Sequence, residues 1–296
     1  MTTQWLANHA SRAPGAKSLP GLVIRLQGFD RGVFGGNFHT HNQLPLHPGL
    51  DVVVHSNGHD WARGWRHALD AAAAGRVVMV VDSTDLLNRR HLDPAGAKDA
   101  ACLVPYPRDK ASRLGFDAVL RHNHGLGGGG GGGGGEEGAV EERDELTIVT
   151  YGTGLLAARA AQRALATASG APALNASPSP RGRRVGVLEV PCVSAVPTGL
   201  AAALDRLDSG AVLFADPCKL NTAPLLHFAQ QLKDAGALGK LTANGRSGGS
   251  QSGGSRYRDW ALVASASTYN PLGSTVTFLS DAQVTAAAQG LLDGLD

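Results

Sequence analysis

The sequence predicts an α/β protein built as two parallel-sheet units, and three features of the chain lead there. Short runs rich in valine, leucine and isoleucine recur along the 296 residues, as expected of strands covered on both faces. Between them lie stretches with apolar residues at three- and four-residue steps, the spacing of a helix with one buried face. An unbroken run of nine glycines, Gly127 to Gly135, divides this series in two.

The first unit opens with a strand at Leu22 to Leu26, after Pro20-Gly21. A Gly-rich loop carrying His39 and His41 follows, and Asp51 to His55 forms the second strand. Ser56-Asn57-Gly58 turns the chain, with Asn57 suited to cap a helix. From Asp60 to Ala74, Trp61, Trp65, Leu69 and Ala72 or Ala73 mark one apolar face. Gly75 ends that helix, and Val77 to Val81 is a strand apolar on both faces. Residues 83–124, with Pro94, Pro105 and Pro107, read as an extended connection.

Nine glycines make too few contacts to offset their backbone entropy, so residues 126–145 are expected to form a flexible Gly-rich and acidic linker. It would separate a first domain, 1–125, from a second, 146–296. In the second, strand Leu146 to Thr150 leads through the turn Tyr151-Gly152-Thr153-Gly154 into an alanine-rich helix, Leu155 to Ala168. A Pro/Ser/Arg loop, Pro172 to Arg184, precedes strand Val185 to Val190. Helix Thr198 to Leu207, strand Ala211 to Ala215 and helix Ala223 to Leu232 come next. Asn244 to Ser255 reads as a second flexible insertion, and Trp260 to Ala264 as a strand. Ser280-Asp281-Ala282-Gln283 has the form of a capping box and starts the last helix, to Leu292. Strands alternating with helices give a mainly parallel sheet.

Composition narrows the function. A net charge of +2, from 27 basic and 25 acidic residues, argues against nucleic acid as the main partner. No apolar run reaches the length of a membrane span. Cys102, Cys192 and Cys218 are odd in number and far apart, which fits a reducing compartment, cytoplasm or organelle matrix. The N-terminal residues show no clear targeting segment.

Each candidate site has a plain alternative. His39 and His41 form an H-x-H pair that could supply two metal ligands, but no cysteine is near to complete a structural zinc site, so no metal is expected. His47 precedes Pro48 and His55 ends a strand, and both read as structural. Gly152-x-Gly154 lies between strand and helix, where anions bind. However, the full dinucleotide fingerprint is absent, Glu189 is a weak stand-in for its ribose-binding acid, and a tight turn is favoured. Asp216-Pro217-Cys218-Lys219 lies past a strand's carboxyl end, a functional position in open α/β sheets, but Cys218 has no identifiable base. Arg181, Arg183 and Arg184 read as a solvated loop.

The order of these segments resembles the β subunit, or β-type half, of the thiamine-diphosphate-dependent decarboxylase component of 2-oxoacid dehydrogenase complexes. Gln4-Trp5-Leu6-Ala7-Asn8-His9-Ala10 looks like that family's DQ-x-x-N-x-A helix, and Leu22-Val23-Ile24-Arg25 like its P-L-V-x-R strand. Gly35 to Asn42 stands where the family has a glycine-then-histidine loop. Pro48 to Val53 followed by Ser56-Asn57-Gly58 resembles the next strand and helix start. LTIVTYGTG, Leu146 to Gly154, is close to the opening of the family's C-terminal domain. Asp216 to Lys219 resembles its D-E-x-R stretch, and Asn270 to Gly273 with Leu279 to Val284 its ending.

The resemblance implies an incomplete pyrimidine-binding-type domain followed by a transketolase C-terminal-type domain. It implies oxidative decarboxylation of a 2-oxoacid with acyl transfer to lipoamide. The cofactor would be thiamine diphosphate, its magnesium ion held mainly by a partner chain. One of His39 and His41 would match the histidine that faces cofactor and lipoyl group, where a neutral imidazole can move protons. The implied partners are an α-type subunit, a lipoyl acyltransferase and further copies of the chain. The family's ylid-forming glutamate lies upstream of the matching helix, whereas here no glutamate precedes Glu136. The chain is therefore expected to be N-terminally truncated and inactive alone. A non-catalytic remnant acting as a scaffold, or a part of another transketolase-like thiamine enzyme, are the alternatives.

Overall fold

The computed structural model describes residues 21–28, 44, 46–87, 106–122, 144–167, 182–241, 247–248, 259–267 and 278–295. The Trp5 helix, His39 and His41, Cys102, the glycine run, Arg181 and Asn270 to Gly273 lie outside them.

The first unit is a three-stranded parallel sheet in the order β1 (Leu22–Gly28), β3 (Val77–Ser83), β2 (Leu50–Val54). Strand β2 is entered through a turn in which Leu50 N–H donates to the His47 carbonyl. Pro48 and Gly49, the latter at φ +81°, suit the two central positions of a type II turn. His47 is exposed there. Helix α1 (Gly58–Ala73) crosses from β2 to β3 and is capped by Asn57, whose side chain accepts from Asp60 N–H. The face that α1 buries differs from the expected one. Ala62, Gly64, Ala68 and Ala71 are buried, while Leu69 is 55% exposed. Small residues win because the helix sits very close to the sheet: a Cβ at Gly64 would lie 2.1 Å from Nε2 of His55. A short helix, α2 (Thr84–Leu87), follows β3.

The second unit is a five-stranded sheet in the order β10 (Asp259–Ser265), β7 (Ala211–Lys219), β5 (Leu146–Thr150), β6 (Val185–Glu189), β4 (Leu120–His122). All its pairs are parallel except β4 with β6. Helices α3 (Gly154–Thr167) and α6 (Asp281–Leu292) cover one face through Leu155, Ala158, Leu165, Val284 and Leu292. Helices α4 (Gly199–Leu207) and α5 (Pro224–Asp234) cover part of the other through Leu200, Leu204, Phe228 and Leu232. A two-stranded antiparallel ribbon pairs β8 (Lys240–Leu241), just before the expected second insertion, with β9 (Ser247–Gly248), inside it. The capping box at Ser280 and Gln283 forms as its spacing predicts.

Strand β4 changes the division of the chain. It precedes the glycine run in sequence yet pairs with β6, so the second sheet begins before that run. The run therefore connects two strands of one sheet rather than two units. The described part of the connection between the units, residues 106–119, is strapped onto α1. Arg63 Nε donates to Ser112 Oγ (2.9 Å), Arg66 Nη1 to the Asp109 carbonyl (2.8 Å), and Leu114 N–H to the Arg63 carbonyl. Phe116 meets His67 edge-on at 4.5 Å and lies under the Arg76 guanidinium. Asp117 then accepts from Thr198 N–H, just before α4.

The two units share a core. Leu50, Val52, Val54, Val77 and Val81 of the first sheet pack in one cluster with Tyr151, Leu188, Phe214 and Phe228 of the second unit. Residues 191–194 run along the outer edge of β2: Val54 N–H donates to the Pro191 carbonyl and Val193 N–H to the Val52 carbonyl. No helix among the described residues is long and apolar enough to cross a membrane.

Candidate functional site

Open parallel sheets receive ligands outside the carboxyl ends of their strands, and the sequence candidates fall at two such ends. In the second unit, Tyr151 to Gly154 leaves β5, while Asp216-Pro217-Cys218-Lys219 forms the last part of the neighbouring β7. Pairing of β7 with β5 stops at Ala215. The register with β10 shifts between Ala264 and Ser265, beside Pro217, which has no N–H to offer.

This end is filled by the chain itself. Asp216 is fully buried and saturated: Tyr151 Oη and Cys218 N–H donate to Oδ1 (2.7 and 2.8 Å), and Leu225 N–H donates to Oδ2 (2.8 Å). The last bond satisfies an amide in the first turn of α5. Burial raises the Asp216 carboxyl to about 6, against the opposing effect of these bonds. Burial also pushes the Tyr151 hydroxyl and the Cys218 thiol well above their ordinary values. Cys218 is thus a buried, protonated thiol, the opposite of an activated nucleophile. Desolvation lowers the pKa of Lys219, which is also buried. The Gly152–Gly154 turn is packed as tightly. Gly152, at φ +51°, abuts Val54, and a Cβ at Gly154 would meet Thr150 Oγ1 at 2.2 Å. The glycines serve close approach, so the tight-turn reading holds here and the nucleophile reading of Cys218 does not.

Glu189, at the end of β6, is also buried and bonds His122 of β4 through Oε2 (2.9 Å). Fully buried, Glu189 is not open to a ribose. Arg183, expected to be solvated, pairs with Glu145 (2.7 Å).

The carboxyl end of the first sheet is built differently. Here Gly28, Val54 and Ser83 end β1, β2 and β3. The chain bearing His39 and His41 leaves this end at Gly28. Asp82, only 4% exposed, receives the Arg25 guanidinium on Oδ2 and Trp61 Nε1–H on Oδ1 (3.0 Å). Asp60 receives Asn57 Nδ2–H (2.8 Å) and Arg63 Nη1–H (3.1 Å). His55 is buried beneath Gly64 with neither ring nitrogen hydrogen-bonded. Desolvation lowers its pKa to about 4, against the raising fields of Asp60 and Asp82. It is neutral at neutral pH and wedged between β2 and α1, in line with the structural reading. Sequence reasoning missed Arg25 and Asp82 as a pair. The signals were Arg25 within an apolar run and Asp82 directly after another.

The described residues do not fit thiamine diphosphate by themselves. Among them no three metal-ligating side chains cluster. Of the acids at the first sheet's carboxyl end, Asp60 and Asp82 are both held by arginines, and Asp85 lies in the first turn of α2. No chemical step is therefore assigned to the cofactor.

No protein-family profile and no curated protein matches the sequence. A solved structure described as a split-gene transketolase, an inactive β4 tetramer, superposes with a TM-score of 0.53 at 15% identity, over 94% of this chain and 69% of that one. With parallel sheets in two α/β units, the chain has a transketolase-like fold.

Proposed function

We propose that the chain is the β-type part of a thiamine-diphosphate-dependent 2-oxoacid dehydrogenase, catalytically silent until an α-type chain completes the site. The motif order from Gln4 to Val284 supports the subfamily. The observation that carries the partner dependence is the first sheet's carboxyl end, where Asp60 and Asp82 are both bound to arginines. An α-type partner would hold the diphosphate and its magnesium ion, and the bound cofactor would carry the carbanion chemistry. From this chain, His39 or His41 would supply the imidazole that gives and takes protons at the substrate. A lipoyl acyltransferase would then take up the acyl group.

Purified chain given thiamine diphosphate and magnesium should release no carbon dioxide from pyruvate or a branched 2-oxoacid above background. Adding an α-type chain should produce it, and replacing the contributing histidine, His39→Ala or His41→Ala, should slow acyl transfer to lipoamide by roughly 10²-fold. Steady turnover by the chain alone would refute the partner requirement. Ketol transfer between sugars in place of 2-oxoacid oxidation would point to another transketolase-like enzyme. Silence with every α-type chain would favour a scaffold, a reading in keeping with the neighbour described as an inactive tetramer.

A further inference from the structure

Near the carboxyl end of the first sheet a guanidinium is both held and accessible. Arg25 stands in the middle of β1, opposite Val80, and its side chain, 59% exposed, reaches the buried Asp82, the residue before the last of β3. The bond uses Nε of Arg25, so the two terminal nitrogens are not taken up by Asp82. Among the described residues, Asp82 is the single acid paired with Arg25. The second oxygen of Asp82 is occupied by Trp61 Nε1–H, so the carboxylate cannot swing round to engage the whole guanidinium. Trp61 is itself packed on Trp65 at 5.6 Å. A buried carboxylate that also accepts from an indole thus holds a largely exposed guanidinium by its inner nitrogen.

A guanidinium presented in this way matches a planar carboxylate by two parallel N–H···O bonds, and its fixed orientation lowers the entropic cost of making them. We propose that Arg25 is the carboxylate-binding residue for the substrate, with Asp82 and Trp61 as its positioning residues. The proposal rests on the 2-oxoacid reading above and assigns that reading's substrate carboxylate a partner on this chain. It explains why a buried acid and an exposed base are paired where a surface ion pair would contribute little to stability.

The test is a binding titration of the full chain with pyruvate, 2-oxoisovalerate, acetate and inorganic phosphate, followed by tryptophan fluorescence, since Trp61 is bonded to Asp82. The 2-oxoacids should perturb the emission and bind more tightly than phosphate. Arg25→Lys, which keeps the charge but not the fork, should weaken binding about tenfold, and loss of the cation should abolish it. Because Arg25→Gln alone would strand the Asp82 charge, the uncharged pair Arg25→Gln/Asp82→Asn supplies a variant without the cation or the stranded charge, its fold checked by far-ultraviolet circular dichroism. Asp82→Asn alone, with the cation present but unheld, should give intermediate affinity. Equal affinity of wild type and the double variant, tighter binding of phosphate, or no binding of any 2-oxoacid would overturn the assignment. In the complex with an α-type chain, Arg25→Lys should raise KM more than it lowers kcat. An unchanged KM with normal turnover would sink this inference and spare the proposed function. Arg25-dependent 2-oxoacid binding without turnover would do the reverse.

Discussion

At the scale of single residues, His55 couples stability to pH. Its folded pKa, about 4, lies below the ordinary 6.5, so the unfolded chain binds the proton more readily. Its contribution is intact above pH 6.5, is lost as pH falls, and levels off below pH 4, a swing of about 3 kcal/mol. Asp216 acts in the opposite direction. Its carboxyl is raised from 3.8 to about 6, so its contribution is present below pH 3.8 and lost as pH rises through 6. Between pH 4 and 6 the two slopes oppose each other. Chemical denaturation across pH 4–8 should therefore show a steeper acid loss in Asp216→Asn and a shallower one in His55→Phe than in wild type. Identical profiles for His55→Phe and wild type would show that the imidazole is not held neutral. The same histidine sets the requirement at residue 64. Gly64→Ala should cost about 1–3 kcal/mol through overpacking, and His55→Ala in the same chain should relieve most of it, a non-additivity that a double-mutant cycle measures.

At the scale of elements, what sequence could and could not show follows from range. Strand β5 was readable to the residue because LTIVT is apolar, β-branched and bounded by an acidic stretch and a Gly turn. The capping box was readable because both partners lie within four residues. Strand β4 was hidden: Leu120-Arg121-His122 has no periodicity, and its partner β6 lies more than sixty residues on. The pairs that give each carboxyl end its character were hidden for the same reason, Tyr151 with Asp216 and Arg25 with Asp82, 65 and 57 positions apart. The α1 face was misassigned to Leu69 because side-chain size suggested the core, whereas the tight crossing selects glycine and alanine. His39 and His41 rest on local motif likeness and fall outside the described residues. The placement of β4 has a direct consequence for dissection. A fragment starting at residue 145 leaves the edge of β6 open and Glu189 without His122, an uncompensated polar group costing about 1–3 kcal/mol. A fragment starting at residue 118 keeps both. The longer fragment should melt several degrees higher, and equal melting temperatures would mean that β4 does not stabilise the sheet. Within the full chain, Phe116→Ala should loosen the strap on α1 and increase protease cutting between residues 106 and 119.

At the scale of the whole molecule, the shared core ties the units together. The face of the first sheet opposite α1 packs against Tyr151, Phe214 and Phe228, so separating the units would expose apolar residues on both. The full chain should therefore unfold in one cooperative transition despite the separate main sheets of its units, and isolated first units should fare worse, having three described strands to form a core. The same sheet sets the state of association. Among the described residues β1 pairs with β3 alone, so its other edge carries backbone groups with no strand beside them. Leu26 on that strand is 37% exposed. An unpaired edge with an exposed apolar side chain favours pairing with another chain, whether a second copy or an α-type partner. The expected outcome is a dimer or larger species in sedimentation at micromolar concentration. Leu26→Glu, which places a charge on the exposed edge, should shift the population toward monomer while leaving the far-ultraviolet spectrum unchanged. A compact monomer at these concentrations would show that the edge is covered within the chain itself, and would remove the structural reason for expecting a partner on this side of the first sheet.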